Sequence, residues 1–214
     1  MKIEAERLFG IPYAICRIDP LSYNKKEIVN DIKSNYLKNP IRNKWRSKNY
    51  NIHHAYNDWE NPDYIMSDYS QLVEVYKKII PQCLPLCGVK ENCKWTFEIA
   101  NYNCMGEGGF MLPHNHCDSN FVGIHYIQFD PKQHESTSYI NEHPFANYSD
   151  AVFPQRRQLM NSNLYTSFYN QHWQLPVKED DFCMTSGFVM HEAPMQPKCD
   201  KLRMAIIINI DISL

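Results

Sequence analysis

Glycine is scarce in this chain, with seven in 214 residues, and neither G-x-x-x-x-G-K nor G-x-G-x-x-G occurs. Backbone cradles for nucleotide phosphates depend on such glycines, so P-loop and dinucleotide-binding chemistry are excluded. No apolar run approaches the roughly 18–20 residues needed to cross a bilayer, and no membrane partner is expected. The opening stretch, MKIEAERLFGIPYAICRIDP, carries acids early and has no apolar run before a small-residue cleavage site. It does not read as a signal peptide, and the expected location is cytoplasmic. An excess of one charge is also missing: the net charge of -2 fits neither a generic nucleic-acid binder nor an acidic tail. The eight cysteines contain no C-x-x-C pair, and reduced thiols are expected. Cys83, Cys87 and Cys93 gather near a Pro-containing turn, but their spacing matches no metal-site pattern.

What is present suits one sizeable globular unit. Hydrophobic residues make up 43% and charged residues 21%, ordinary values for a packed domain, and the length favours a single domain over 1–214. Residues 7–18 read as an opening strand broken by Pro12. Residues 20–37 read as an amphipathic helix with Ile28, Val29, Ile32, Tyr36 and Leu37 on one face. Residues 40–66, with Pro40, Pro62 and many asparagines, look irregular or form short strands. A second helix is predicted from about Ser67, with Leu72, Val73, Tyr76, Ile79 and Ile80 at helical spacing, ending near Pro81. Beyond residue 94 the texture changes. WTFEIANYN, FVGIHYIQFD, STSYI, DFCMTSGFVMH and RMAIIINIDI are β-branched or aromatic runs separated by turn residues. The chain therefore reads as 1–94, strand and supporting helices, followed by 95–214, a mainly β core: a helix-buttressed barrel or sandwich.

The most informative segment is Pro113-His114-Asn115-His116-Cys117-Asp118. On an extended chain, residues two apart share a face, so His116 can join either Asp118 or His114 in aiming at one point. Periodicity does not choose between the pairs. His191, read as closing the strand GFVMH, is the best candidate for a third ligand. Two histidines and one carboxylate, with coordination positions left open, are the ligand set of non-haem iron(II) oxygenases. Arg203 follows His191 by twelve residues. A hairpin between their strands would bring both to one mouth of the barrel, where a guanidinium suits bidentate capture of a carboxylate.

His-x-Asp, a distal His and an Arg ten to twelve residues later resemble the signature of the iron(II)/2-oxoglutarate oxygenase superfamily. Within it the chain resembles the oxygenases found in bacteria and tailed phages, through Asn101, Gly106, His114-Asn115-His116, the strand to Tyr126, Phe188 to His191, and Arg203 to Asn209. The similarity covers roughly residues 95–210. It implies a double-stranded β-helix (jelly-roll, cupin-like) core with flanking helices, and iron(II) held by His116, Asp118 and His191, with His114 as the alternative ligand. It also implies 2-oxoglutarate held through Arg203 with Tyr126 and Asn101 nearby, dioxygen as the oxidant, and a dioxygenase that hydroxylates its substrate. That group often lacks the acid two residues after the second His, so Asp118 follows the wider superfamily pattern. The small hydroxyl residue usual two positions beyond the Arg is Ala205 here, and Tyr102 or Tyr126 is the candidate replacement. Among substrates, a protein side chain is favoured over a nucleobase or a small molecule by analogy with prolyl hydroxylase-like relatives. The competing readings are a cupin-like metal-binding protein without oxygenase activity and a phage structural or binding β-barrel.

One further stretch invites a second function. Lys33, Lys38, Arg42, Lys44, Arg46 and Lys48 are interleaved with Tyr36, Trp45, Tyr50 and Tyr56, and no acid falls between residues 33 and 57. Basic charge with stacking rings is a single-strand nucleic-acid footprint. It is also how a solvated loop with packed rings looks, and nucleic acid is the less favoured partner.

Overall fold

The computed structural model describes residues 11–41, 50–55, 64–142 and 172–213. In chain order the elements are β1 (Tyr13–Arg17), α1 (Lys25–Lys38), β2 (Tyr50–Asn51), β3 (His53–Ala55), α2 (Ser70–Cys83), β4 (Lys94–Met105) and β5 (Phe110–His114). There follow β6 (Phe121–Gln128), β7 (Ser138–Ile140), β8 (His172–Gln174), β9 (Asp181–Ser186), β10 (His191–Ala193) and β11 (Arg203–Ser213). They form a six-stranded sheet, β1-β9-β6-β11-β4-β3, and a five-stranded sheet, β2-β5-β10-β7-β8. Every strand pairing among the described residues is antiparallel. The strand pattern suggested a helix-buttressed barrel or sandwich, and the two sheets are those of the double-stranded β-helix that the family resemblance implied. No helix among the described residues is long and apolar enough to cross a membrane.

Strand β11 shows why its sequence is almost entirely apolar. It lies between β4 and β6, and both of its faces are covered. Met204, Ile206, Ile208 and Ile210 face the helices, in one cluster with Ile28 and Ile32 of α1 and Leu72, Tyr76 and Ile80 of α2. Ala205 and Ile207 face the other way, into a second cluster with Val122, Ile124 and Tyr126. By the same alternation Arg203 and Asn209 point toward the space between the sheets.

The helices start later than predicted, at Lys25 rather than residue 20 and at Ser70 rather than about Ser67, and depart from the predicted pattern at three further points. Leu37 is exposed rather than buried; it lies nine residues from Ile28, about 180° around a helix of 3.6 residues per turn. The buried position on that turn belongs to Asn35, whose Nδ2 donates to Ile65 O at 3.0 Å and whose Oδ1 accepts from Ile65 N–H at 3.0 Å. Helix α2 runs through Pro81 to Cys83 instead of stopping before it. Burial of Ile80, Cys83 and Leu84 holds that last turn, and Leu84 N–H closes it on Ile80 O at 3.0 Å. Burial of a side chain such as Ile80 contributes about 1.5–3 kcal/mol, comparable to the roughly 3 kcal/mol cost of an interior proline.

Within residues 1–94, β1, β2 and β3 do more than support the core. β1 pairs with β9, β2 with β5 and β3 with β4, so both sheets carry edge strands from the first half. Of the 33–57 stretch, residues 42–49, 56 and 57 lie outside the described set, as do residues 7–10 of the opening strand.

Candidate metal centre

The segment from β5 to β6 is not extended throughout. β5 pairs with β10 so that His191 faces His114 while Ala193 faces Met111. Two steps on β10 therefore match three on β5, which is a β-bulge at Leu112–Pro113. The extra residue re-aims the strand. Met111 and His114 both line the cavity between the sheets, although strict alternation would oppose them. Beyond Asn115 the chain turns, and Ser119 N–H donates to His116 O at 3.0 Å. The period-two rule fails at Cys117–Asp118 for this reason. Asp118 lines the same cavity as an exposed side chain.

The imidazoles brought together are those of His114, His116 and His191, with ligand nitrogens all within 4.8 Å of one another. Ring centroids are 4.4 Å apart for His114 and His191, 5.3 Å for His116 and His191, and 5.6 Å for His114 and His116. Asp118 is not a member of this group. His191 opens β10 rather than closing the preceding strand: β9 stops at Ser186, and Gly187 begins the turn that separates them.

Each ring has its Nδ1 occupied by an acceptor. His114 Nδ1 lies 2.9 Å from Leu112 O, and His191 Nδ1 lies 2.9 Å from Val189 O. His116 Nδ1 lies 3.1 Å from Asn209 Oδ1, and the Asn209 amide is oriented by donation from its Nδ2 to Glu98 Oε1 at 3.2 Å. A carbonyl oxygen only accepts, so Nδ1 carries the proton in all three rings and the Nε2 lone pairs are left for a ligand. Desolvation pushes all three imidazoles toward the neutral form, and His191 is pushed down to about 3 by burial and by its two histidine neighbours. Neutral imidazole is the ligating form.

At the other end of the same cavity lies Arg203, 1% exposed. It is not part of a hairpin with His191, because β10 and β11 belong to different sheets. The two residues meet because the sheets face each other. The guanidinium donates to Glu135 O at 3.1 Å, Asn103 Oδ1 at 3.0 Å and Thr137 Oγ1 at 3.3 Å. Tyr126 lies beneath it, 5.4 Å from guanidinium carbon to ring centroid. Among the described residues no carboxylate forms an ion pair with Arg203. A buried cation without an anion is costly, and the cavity beside it supplies the space where one can bind.

Tyr126 donates to Thr137 Oγ1 at 2.8 Å, so the Thr137 oxygen accepts from both Tyr126 and Arg203 while its own proton stays available to the cavity. Thr137 thus offers the hydroxyl that Ala205 lacks; it precedes a short strand with no motif to mark it. Tyr102, the other candidate, faces the helices, bonded to His53 Nε2 at 3.0 Å and Asn35 Nδ2 at 3.2 Å. Asn101 lines the cavity, and its buried Oδ1 has no hydrogen-bond partner among the described residues. The cavity measures about 370 Å³, the size of a small-ligand site. Cys83, Cys87 and Cys93 form no comparable cluster; the three histidines are the one such group among the described residues.

No protein-family model matches the sequence, and no curated protein does. Solved structures do match the fold. SnoN, a non-haem α-ketoglutarate-dependent epimerase from nogalamycin biosynthesis, superposes with TM-score 0.56 at 9% identity, over 94% of this chain and 78% of its own. A Trichoplax adhaerens prolyl hydroxylase, solved with a hypoxia-inducible factor peptide fragment, gives 0.56 at 12% identity over 94% and 83%. The viral collagen prolyl hydroxylase of Paramecium bursaria Chlorella virus-1, solved with 2-oxoglutarate, gives 0.52 at 11% identity over 96% and 98%. At these identities the likeness establishes the fold, which is that of the 2-oxoglutarate-Fe(II) oxygenases.

Proposed function

We propose that this protein is an iron(II)- and 2-oxoglutarate-dependent oxygenase whose metal ligands are His114, His116 and His191. The observation that carries the reading is the pairing, in one cavity, of three imidazoles whose ligand nitrogens lie within 4.8 Å of one another and a buried guanidinium with no acidic partner among the described residues. The donor set suits a divalent ion of the iron(II) kind: three imidazoles on one side leave coordination positions open on the other. When bound, iron(II) supplies the redox chemistry that couples oxidative decarboxylation of 2-oxoglutarate by dioxygen to oxidation of a substrate C–H bond.

The chain's own residues bind and orient. Arg203 holds the distal carboxylate of 2-oxoglutarate by charge-assisted hydrogen bonds, with the Thr137 hydroxyl as a further donor. Tyr126 fixes both groups from below. Ile124 and Ile207 wall the cavity and keep water from the reacting centre. Asp118, exposed on the same cavity and outside the histidine cluster, is read as a substrate contact rather than a ligand. A bare cupin-like metal protein would have no use for the buried guanidinium, which favours the oxygenase over that alternative. Hydroxylation of a protein side chain is the favoured outcome; prolyl hydroxylases stand among the fold neighbours beside an epimerase.

The test is calorimetric and chemical. The manganese-loaded protein is expected to bind 2-oxoglutarate, and the iron(II)-loaded protein to form succinate in a reaction requiring 2-oxoglutarate and dioxygen. A protein that binds metal without 2-oxoglutarate would overturn the oxygenase reading.

A further inference from the structure

We propose that Asn209 is a positioning residue of the metal centre, holding His116 in the tautomer that presents Nε2 and tying it to the Glu98 side chain. The proposal rests on the three-histidine reading above. His114 and His191 fix their own tautomers locally, each donating from Nδ1 to the backbone carbonyl two residues earlier. For His116 no such local bond forms; its Nδ1 partner comes from β11, across the cavity wall, as Asn209 Oδ1 at 3.1 Å.

An amide group has two faces, and only one accepts. The bond from Asn209 Nδ2 to Glu98 Oε1 at 3.2 Å decides which face meets His116. Asn209 and Glu98 are directly opposed in the β4–β11 ladder, so backbone pairing fixes their approach. The chain His116–Asn209–Glu98 runs from the cavity to an exposed carboxylate, where solvent screens the charge. Glu98 therefore acts by orienting the amide. With three neutral imidazoles as donors, the hydrogen bond to Nδ1 is the means this chain has to raise the basicity of His116 toward the metal.

The consequences are measurable before any metal is added. In metal-free wild type, long-range proton–nitrogen spectra of the histidine side chains are expected to show His116 with its proton on Nδ1. In Asn209→Ala that proton moves wholly or partly to Nε2, while His114 and His191 keep their tautomers. Zinc(II) and manganese(II) affinity is expected to fall about 10–100-fold, with the melting temperature nearly unchanged. Asn209→Asp combined with Glu98→Gln reverses the polarity of the pair, with the new amide at position 98 donating to the new carboxylate at position 209. That double variant should restore the Nδ1 tautomer and bring metal affinity back toward wild type, which also keeps the test open should Asn209→Ala fold poorly. An unchanged His116 tautomer in Asn209→Ala, or a double variant no better than Asn209→Ala, overturns the proposal. A wild type that binds no metal overturns the functional reading instead, and the tautomer measurement then decides the role of Asn209 alone.

Discussion

Replacing Gly187 by alanine gives a stringent check on how the centre is built. A Cβ at this position would lie 2.1 Å from Ser119 O and 2.6 Å from His116 O, both backbone atoms. Carbon and oxygen do not approach closer than about 3 Å without strong repulsion, so the turn carrying His116 must move by roughly 1 Å. That turn is docked by two bonds, His116 N–H to Gly187 O at 2.7 Å and Gly187 N–H to Asn120 O at 2.9 Å. Overpacking costs about 1–3 kcal/mol and each of the two hydrogen bonds about 1 kcal/mol, giving a destabilisation of roughly 3–5 kcal/mol. The metal site should suffer more, since ligand distances tolerate only about 0.2 Å. Loss of one imidazole from three should cut affinity at least about 100-fold. Zinc(II) titration and thermal melting are read on the same samples. Gly88→Ala serves as control: its φ of +85° strains any side chain but nothing lies within 4 Å, so stability should fall by about 1 kcal/mol with metal affinity intact. A Gly187→Ala protein that melts and binds metal like wild type would refute the account of how His116 is placed.

Three further outcomes are expected. His114→Ala should lose stoichiometric metal while Asp118→Ala keeps it; the reverse result in a metal titration would return the site to the His116, Asp118 and His191 set. Arg203→Ala should weaken 2-oxoglutarate binding to the manganese form by about 1–3 kcal/mol in calorimetry and leave metal affinity nearly unchanged, whereas unchanged 2-oxoglutarate affinity would remove Arg203 from its role. Acid should unfold the metal-free protein early, because burial pushes His125 down to about 3 from an ordinary 6.5. The unfolded chain takes up this proton below pH 6.5 and the folded chain does not, so stability is full above that value and falls by about 1.4 kcal/mol per pH unit toward pH 3. His125→Gln should flatten the denaturant-measured slope by that amount, and an unaltered slope would show that His125 is protonated in the fold.

Much of this fold was legible because its signals are periodic. The alternation in RMAIIINIDI placed Arg203, Ala205, Ile207 and Asn209 on one face, and the structure turns that face inward. Helical spacing found Ile28, Ile32, Leu72, Tyr76 and Ile80. What escaped were events that break a period. The bulge at Leu112–Pro113 inserts one residue and reverses the side to which His114 points. The turn at Cys117–Asp118 ends the extended geometry that would have aligned Asp118 with His116. The break at Gly187 made one apparent strand into two that lie in different sheets. Pro113 and Gly187 are the only marks these events leave in the sequence, and neither residue fixes a direction by itself. Thr137 was invisible for another reason: its role depends on Arg203 and Tyr126, which are distant in sequence and meet it only in the fold.

The charge balance of the cavity follows from these placements. A carboxylate ligand would offset part of a bound metal's charge; the three neutral imidazoles of the proposed site would offset none. Arg203 adds a positive charge that no acid among the described residues neutralises. Asp118 and Glu192 also line the cavity, but neither pairs with Arg203; under the proposed function a dicarboxylate spanning from metal to guanidinium would supply negative charge at both ends. Each end alone would bind such an anion weakly, because the isolated charge still has to be desolvated. Together they make metal and co-substrate binding mutually dependent: 2-oxoglutarate should raise metal affinity by the factor by which metal raises 2-oxoglutarate affinity. Paired titrations of the manganese form measure both factors. Factors near one would show that the anion does not reach the metal and contacts only Arg203, which would refute a shared cavity site.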